Sequence, residues 1–195
     1  MSGRRERSIP SDWFETLFSE RGDPWDFETS AYEAAKYDHT LSALPRERYA
    51  GALEVGCANG VLTARLAPRC DRLLAVDVSD SALAAARARC AALPQVALEK
   101  RRLPEEAPPG PFDLILLSEV VYYLDGDDLA RLAAWIGGAA RSGCHLLLVH
   151  WTGETDYPRT GDEAVTELRA HLGELVEVVL ADRRPEYRLD LWVRR

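Results

Sequence analysis

No stretch of this sequence reaches the roughly 18 consecutive apolar residues that a membrane span needs. Charges stand near the N-terminus where a secretory signal would carry its apolar core. Both absences lead to the expectation of a cytoplasmic protein with no membrane partner. An excess of positive charge is missing too: the formal net charge is −8, so the footprint of a nucleic-acid binder is absent. Arg4-Arg5-Glu6-Arg7, Lys100-Arg101-Arg102 and Arg183-Arg184 are basic but short and flanked by acids, which reads as solvated surface. The four cysteines, Cys57, Cys70, Cys90 and Cys144, contain no C-x-x-C pair. They read as buried free thiols of a reducing compartment, and no metal site is expected.

What is present suffices for a core: 195 residues, 47% of them hydrophobic, fit one α/β domain. The expected division is an N-terminal helical cap, 1–45, and a core, 46–195, within that one structural domain. Residues 1–8 are polar and expected to be disordered. Ser11 is placed to cap a short helix over 12–18, and Asp23-Pro24-Trp25 breaks the chain. Ser30 is placed to cap a second helix from Tyr32 to about Ala43, closed by Pro45. Such helices precede the main pattern and suit a cover for a bound ligand.

From Ala50 onward, strand and helix patterns alternate, which predicts a parallel sheet with crossover helices. The strands are read at 51–55, 72–77, 96–100, 112–117 and 145–150, and the helices at 59–67, 80–92, 127–140 and 162–172. The last two strands, 175–180 and 187–193, are joined by too few residues for a crossover and must be antiparallel. Seven strands, mostly parallel and ending in an antiparallel hairpin, outline the Rossmann-like fold of class I methyltransferases.

The most informative segment is Gly51-Ala52-Leu53-Glu54-Val55-Gly56-Cys57-Ala58-Asn59-Gly60, an apolar strand running into a small-residue turn that opens a helix. Twenty-one residues beyond Gly56, Asp77 ends a second apolar strand, the spacing that sets a carboxylate on a ribose in a βαβ unit. A dinucleotide fingerprint needs a third glycine for its pyrophosphate, and Glu54 beside the turn would repel that group. An acid there suits a cationic, phosphate-free ligand, and S-adenosylmethionine meets that description. A nicotinamide oxidoreductase is disfavoured on the same ground.

With Leu53–Gly60, Leu66-Ala67-Pro68-Arg69-Cys70, Asp77-Val78 and Ser118-Glu119-Val120-Val121-Tyr122-Tyr123-Leu124, the chain resembles the NodS-like family of S-adenosylmethionine-dependent methyltransferases. The likeness spans most of residues 23–193, including Asp23-Pro24-Trp25. The family's namesake methylates the free amine of a deacetylated chitooligosaccharide. The resemblance implies methyl transfer from S-adenosylmethionine, with S-adenosylhomocysteine as product, to a small polar acceptor. N-methylation of an amine of an amino sugar or related metabolite leads. O-methylation of a hydroxyl or phenol, or a non-catalytic cofactor-binding partner subunit, is the alternative.

The cofactor residues expected on this basis are Glu54, Gly56, Cys57, Ala58 and Gly60 in the turn, Asp77 and Val78 after the second strand, and Ser118. Many relatives carry an acid near the end of strand three for the adenine amino group. This chain has Arg101-Arg102-Leu103 there, so backbone at Arg102 and Leu103 takes that contact. Tyr32 and Lys36 share a helix face, and Lys36 is placed to meet the methionine carboxylate. Glu119 and His150 end strands at the edge where open α/β sheets bind ligands and are the candidate catalytic pair. Tyr122, Tyr123 and Trp151 are candidates for the acceptor wall. The sequence carries no signal for oligomeric state.

Overall fold

The computed structural model describes residues 3–195. Among them are the expected seven strands: β1 (Ala52–Val55), β2 (Leu73–Asp77), β3 (Val96–Lys100), β4 (Phe112–Ser118), β5 (Ala140–Trp151), β6 (Val176–Arg183) and β7 (Tyr187–Arg194). They form one sheet in the order β3-β2-β1-β4-β5-β7-β6. The β1–β2, β2–β3 and β4–β5 pairs are parallel, while β7 runs antiparallel to both β5 and β6. No helix among the described residues is long and apolar enough to cross a membrane.

The chain divides into two compact units: residues 10–102, and residues 103–195 together with the segment that ends at Ile9. The first unit holds β1–β3 with helices α1 (Ser11–Arg21), α2 (Ala31–Ser42), α3 (Val61–Leu66) and α4 (Asp80–Cys90). Leu53, Leu66, Leu73, Ala75, Val76 and Leu83 are buried in its core. The caps come from side-chain oxygens that accept otherwise unpaired first-turn N–H groups. Ser30 accepts from Glu33 N–H at 3.3 Å and Ser79 from Ala82 N–H at 3.1 Å. The cap expected from Ser11 is not formed. Ser11 is the first helical residue, Pro10 occupies the cap position, and no side chain caps α1.

The second unit holds β4–β7 with α5 (Gly126–Ala139) and α6 (Gly161–Leu172). Leu114–Leu117 on β4 and Leu146–Val149 on β5 are buried without interruption, as expected for strands covered on both faces. α5 passes directly into β5 with no connecting loop. At that joint Gly110 leaves no room for a side chain, since a Cβ there would lie 2.3 Å from the Ala139 carbonyl oxygen. Residues 3–8 are not the free tail the sequence suggests, while residues 1 and 2 lie outside the described residues. Arg5 N–H donates to the Asp156 carbonyl at 2.9 Å, and Ser8 Oγ accepts from Asp125 N–H at 2.9 Å. Ile9 N–H donates to the Tyr123 carbonyl at 2.9 Å. A polar composition hid partners that lie far away in sequence.

Candidate active site

In the first unit, β1 ends at Val55 and the chain turns through Gly56 (φ 77°), Ala58 (φ 48°) and Gly60 (φ 78°) into α3. Gly60 is required twice over: its φ is left-handed, and a Cβ would lie 3.0 Å from both Cα and Cβ of Ala86 on α4. Ala58 holds a left-handed conformation without being glycine, which costs about 1–2 kcal/mol. Its N–H donates to Asp77 Oδ2 at 2.9 Å, and that bond helps hold the strained turn. Gly56 and Cys57 both donate to the Val76 carbonyl, at 2.8 and 3.0 Å, which ties the turn to the end of β2. The Cys57 thiol is pushed well above its ordinary value by burial.

Asp77 is buried, and Ser79 N–H donates to its Oδ1 at 2.9 Å. Burial raises its pKa, opposed by backbone donors at Ser79, Ala58 and Val78. The backbone thus holds both oxygens, while an ionised carboxylate offers about four acceptor sites. Glu54, 1% exposed, has its carboxyl pushed up to about 8, first by burial and then by the charge of Asp77, against the Thr63 hydroxyl. Its Oε2 is buried without a hydrogen-bond partner, as is Asn59 Nδ2 in the turn. Unsatisfied buried polar atoms are costly.

Glu15 on α1 escaped the reading of the sequence. Its carboxylate accepts from Ser79 Oγ at 2.8 Å and Ser81 Oγ at 2.6 Å. The Ser81 and Ser79 hydroxyls bring it down to about 2. Ser79 and Ser81 open α4 directly after β2, and nothing local marked an acid from far upstream as their partner. On α2, Tyr32 and Lys36 do share a face: the Lys36 ammonium lies 5.2 Å from the Tyr32 ring centroid. Lys36 is only 4% exposed and bonds Glu33 Oε1 at 2.9 Å, so its charge is already paired within the helix. Arg102 is half-buried, and Arg101 N–H donates to the Asp77 carbonyl at 3.0 Å.

In the second unit, Leu103 is buried and Ser118, which ends β4, is half-buried. Glu119 follows with φ 56°, again left-handed, and its N–H donates to the Val149 carbonyl at 2.8 Å. The Glu119 side chain turns back so that Oε2 accepts from the Tyr122 hydroxyl and from Trp151 N–H, each at 2.7 Å. Burial first, then Glu119, drives the Tyr122 phenol well above its ordinary value, so it stays a donor. Burial also leads for Tyr123, with Tyr157 and Glu119 adding to it.

His150 is fully buried, and its Nε2 accepts from Val121 N–H at 3.1 Å. A neutral ring accepting at Nε2 carries its proton on Nδ1. Its ring meets Tyr122 edge-on at 5.2 Å, so His150 holds the 3₁₀ turn Val121–Tyr123 from beneath. Tyr157, on the loop between β5 and α6, was not anticipated. It stacks on Tyr122 at 5.3 Å and meets Tyr123 edge-on at 4.7 Å. A lone tyrosine in a polar loop gives no periodic signal.

The family model described as Nodulation protein S (NodS) matches residues 17–138. The chain belongs to the NodS family. It is 40% identical over 103 residues to Nodulation protein S of Bradyrhizobium diazoefficiens, covering 52% of this chain and 49% of the relative. Against Nodulation protein S of Rhizobium tropici it is 33% identical over 129 residues, 64% and 53% of the two chains. This NodS-family chain therefore spans about half the length of the curated relatives it matches. Among solved structures, a methyltransferase candidate from Pseudomonas syringae is 39% identical with a TM-score of 0.74, covering 85% of this chain and all of that one. The N-methyltransferase NodS from Bradyrhizobium japonicum WM9, in complex with S-adenosyl-L-homocysteine, shares the fold. Its TM-score is 0.78 at 21% identity, with 94% and 97% of the chains covered.

Proposed function

We propose that this chain is an S-adenosylmethionine-dependent methyltransferase that N-methylates an amine of a small polar acceptor, an amino sugar or related metabolite, in the cytoplasm. The observation that carries the reading is the turn from Gly56 to Gly60. It sets a backbone-anchored carboxylate at Asp77 beside a buried Glu54 whose Oε2 lacks a partner. The donor chemistry fits the group: Asp77 suits ribose hydroxyls, and Glu54 suits the ammonium of the methionine end. Gly56, Cys57, Ala58, Gly60 and Val78 supply backbone to the same ligand. Arg102 and Leu103 are assigned to the adenine, and Ser118 to the rim. When bound, S-adenosylmethionine supplies an electrophilic methyl on a sulfonium, whose departure needs no acid.

The protein's remaining task is to present a lone pair in line with that methyl, so positioning provides much of the catalysis. Glu119 is the group assigned to the acceptor amine. Two donors at 2.7 Å fix Oε2, which orients the carboxylate to accept from the amine or take its proton. An α-amino group with a pKa of about 7.7–8.0 is already partly neutral near pH 7, so the base needs only modest strength. His150, with Nε2 engaged by Val121 N–H, acts by positioning the turn that carries Tyr122. Tyr122, Tyr123 and Trp151 frame the acceptor. The N-terminal segment, 1–45, is assigned the role of a helical cap and 46–195 that of the core, with Tyr32 and Lys36, which also bonds Glu33, assigned to the methionine carboxylate.

The test is release of S-adenosylhomocysteine from the purified chain with a panel of amino sugars, simple amines and phenols. Turnover on amines is expected. Turnover on phenols alone would move the activity to O-methylation, and binding of S-adenosylhomocysteine without turnover on any acceptor would leave a cofactor-binding subunit.

A further inference from the structure

Residues 4–9 bridge the turn that carries Tyr122 and Tyr123 and the loop that carries Tyr157. At one end the grip is buried and reciprocal. Ile9, 5% exposed, donates its N–H to the Tyr123 carbonyl at 2.9 Å. Ser8 Oγ accepts from Asp125 N–H at 2.9 Å and donates to Asp128 Oδ2 at 2.5 Å, while Ser8 N–H donates to Asp125 Oδ2 at 3.3 Å. Asp125 itself caps α5, its Oδ1 accepting from Asp128 N–H at 3.0 Å. One hydroxyl therefore ties residues 4–9 to the start of α5, just after the Val121–Tyr123 turn.

At the other end the grip is on the loop after β5. Arg5 donates to Asp156 from its N–H to the carbonyl at 2.9 Å and from Nε to Oδ2 at 3.3 Å, and the Arg4 guanidinium donates to the Tyr157 carbonyl at 3.4 Å. The Arg5 and Asp156 side chains are exposed to 40% and 53%, so this ion pair is screened and weaker than the buried end. The same loop meets the turn directly, where Arg159 N–H donates to the Tyr122 carbonyl at 3.3 Å. From Asp156 a line of contact runs to the acid assigned to the acceptor. Tyr157 follows Asp156, its ring stacks on Tyr122 at 5.3 Å, and the Tyr122 hydroxyl donates to Glu119 Oε2 at 2.7 Å. A shift of the loop moves the ring that orients this carboxylate, and small misplacements near a reacting centre are costly. We propose that residues 4–9 position the acceptor wall, with Ser8 fixing the Tyr122–Tyr123 turn and Arg5 holding Tyr157 against it as a further wall residue. The proposal rests on the reading in which Glu119, Tyr122 and Tyr123 meet the acceptor.

Amide hydrogen exchange of the full chain tests the grip without any acceptor. Ser8→Ala should speed exchange at residues 121–125, and Arg5→Ala at residues 155–159, by about 10-fold or more, while Leu146–Val149 on β5 stays protected. Kinetics on an amine that the wild type methylates reads the consequence. Ser8→Ala and Tyr157→Ala should each raise the acceptor KM by about 10-fold and Arg5→Ala by about threefold. Ser8→Thr, which keeps the hydroxyl, and Tyr157→Phe, which keeps the stack, should stay within about twofold of wild type. S-adenosylhomocysteine affinity should hold in every variant, because Glu54 and Asp77 lie in the other unit. Unchanged exchange at both segments overturns the proposal. So does faster exchange with an unchanged acceptor KM, or a loss of S-adenosylhomocysteine affinity in step with the rise in KM, which would mark general loosening. A wild type that methylates no acceptor fails the methyl-transfer reading and this assignment with it, an outcome distinct from failure of residues 4–9 alone, where wild-type turnover is intact.

Discussion

The Tyr122 hydroxyl donates to Glu119 Oε2 at 2.7 Å, the same oxygen that accepts from Trp151 N–H. One carboxylate oxygen thereby joins the turn after β4 to the end of β5. Because Glu119 is assigned to the acceptor and not the donor, Glu119→Gln should lower turnover by about 10²–10⁴-fold if it takes the proton. S-adenosylhomocysteine affinity should stay near the wild-type value. Tyr122→Phe removes one orienting bond and should cost about 10-fold, and His150→Ala should lower the melting temperature along with turnover. Steady-state kinetics beside calorimetry separates these cases, and full activity in Glu119→Gln would remove the acid from the mechanism.

Asp77 is gripped by Ala58 and Ser79 N–H groups at 2.9 Å each. If it also binds ribose hydroxyls, Asp77→Ala should weaken S-adenosylhomocysteine by roughly 10- to 100-fold, since a hydrogen bond to a charged group is worth about 1.5–3 kcal/mol. Titration calorimetry reads this directly, and an unchanged affinity would reject the ribose assignment.

Glu54 yields a prediction with two opposite signs. Its carboxyl sits near 8 in the folded chain against an ordinary 4.5, so the fold favours the neutral acid. Its contribution to stability is full below about 4.5 and falls away as pH rises through about 8. Glu54→Gln should therefore melt higher than wild type near pH 8 in the absence of ligand, yet bind S-adenosylhomocysteine more weakly. In the wild type, capture of the ligand ammonium should release a proton near pH 7, visible as a binding heat that depends on buffer ionisation. No buffer dependence would separate Glu54 from the ammonium.

Glu15 lies on the other side of the scale, at about 2 against 4.5. The stability it contributes is present above about 4.5 and is lost as pH falls from there through about 2. Glu15→Ala should lower stability near neutral pH by about 1 kcal/mol, a figure reduced from that of a buried charged bond because the group is partly exposed. The difference from wild type should shrink below pH 4. Equal denaturant midpoints at neutral pH would show that α1 is held by other contacts.

Much of this protein was determined by contiguous sequence. The turn from Gly56 to Gly60, the acid at Asp77 and the alternation of strands and helices are local patterns, because periodicity and backbone freedom act over a few residues. The antiparallel character of β7 followed from the short link after β6. What the tertiary structure alone decided is where distant groups meet. The insertion of β7 between β5 and β6 is a long-range pairing that no local pattern encodes. Glu15 found Ser79 and Ser81 across more than sixty residues, Val121 N–H claimed the Nε2 of His150, and Tyr157 stacked on Tyr122. Burial worked in the same way. The sequence marks Glu54 as an acid beside the turn, but only the close packing around it removes water and drives its carboxyl toward neutrality.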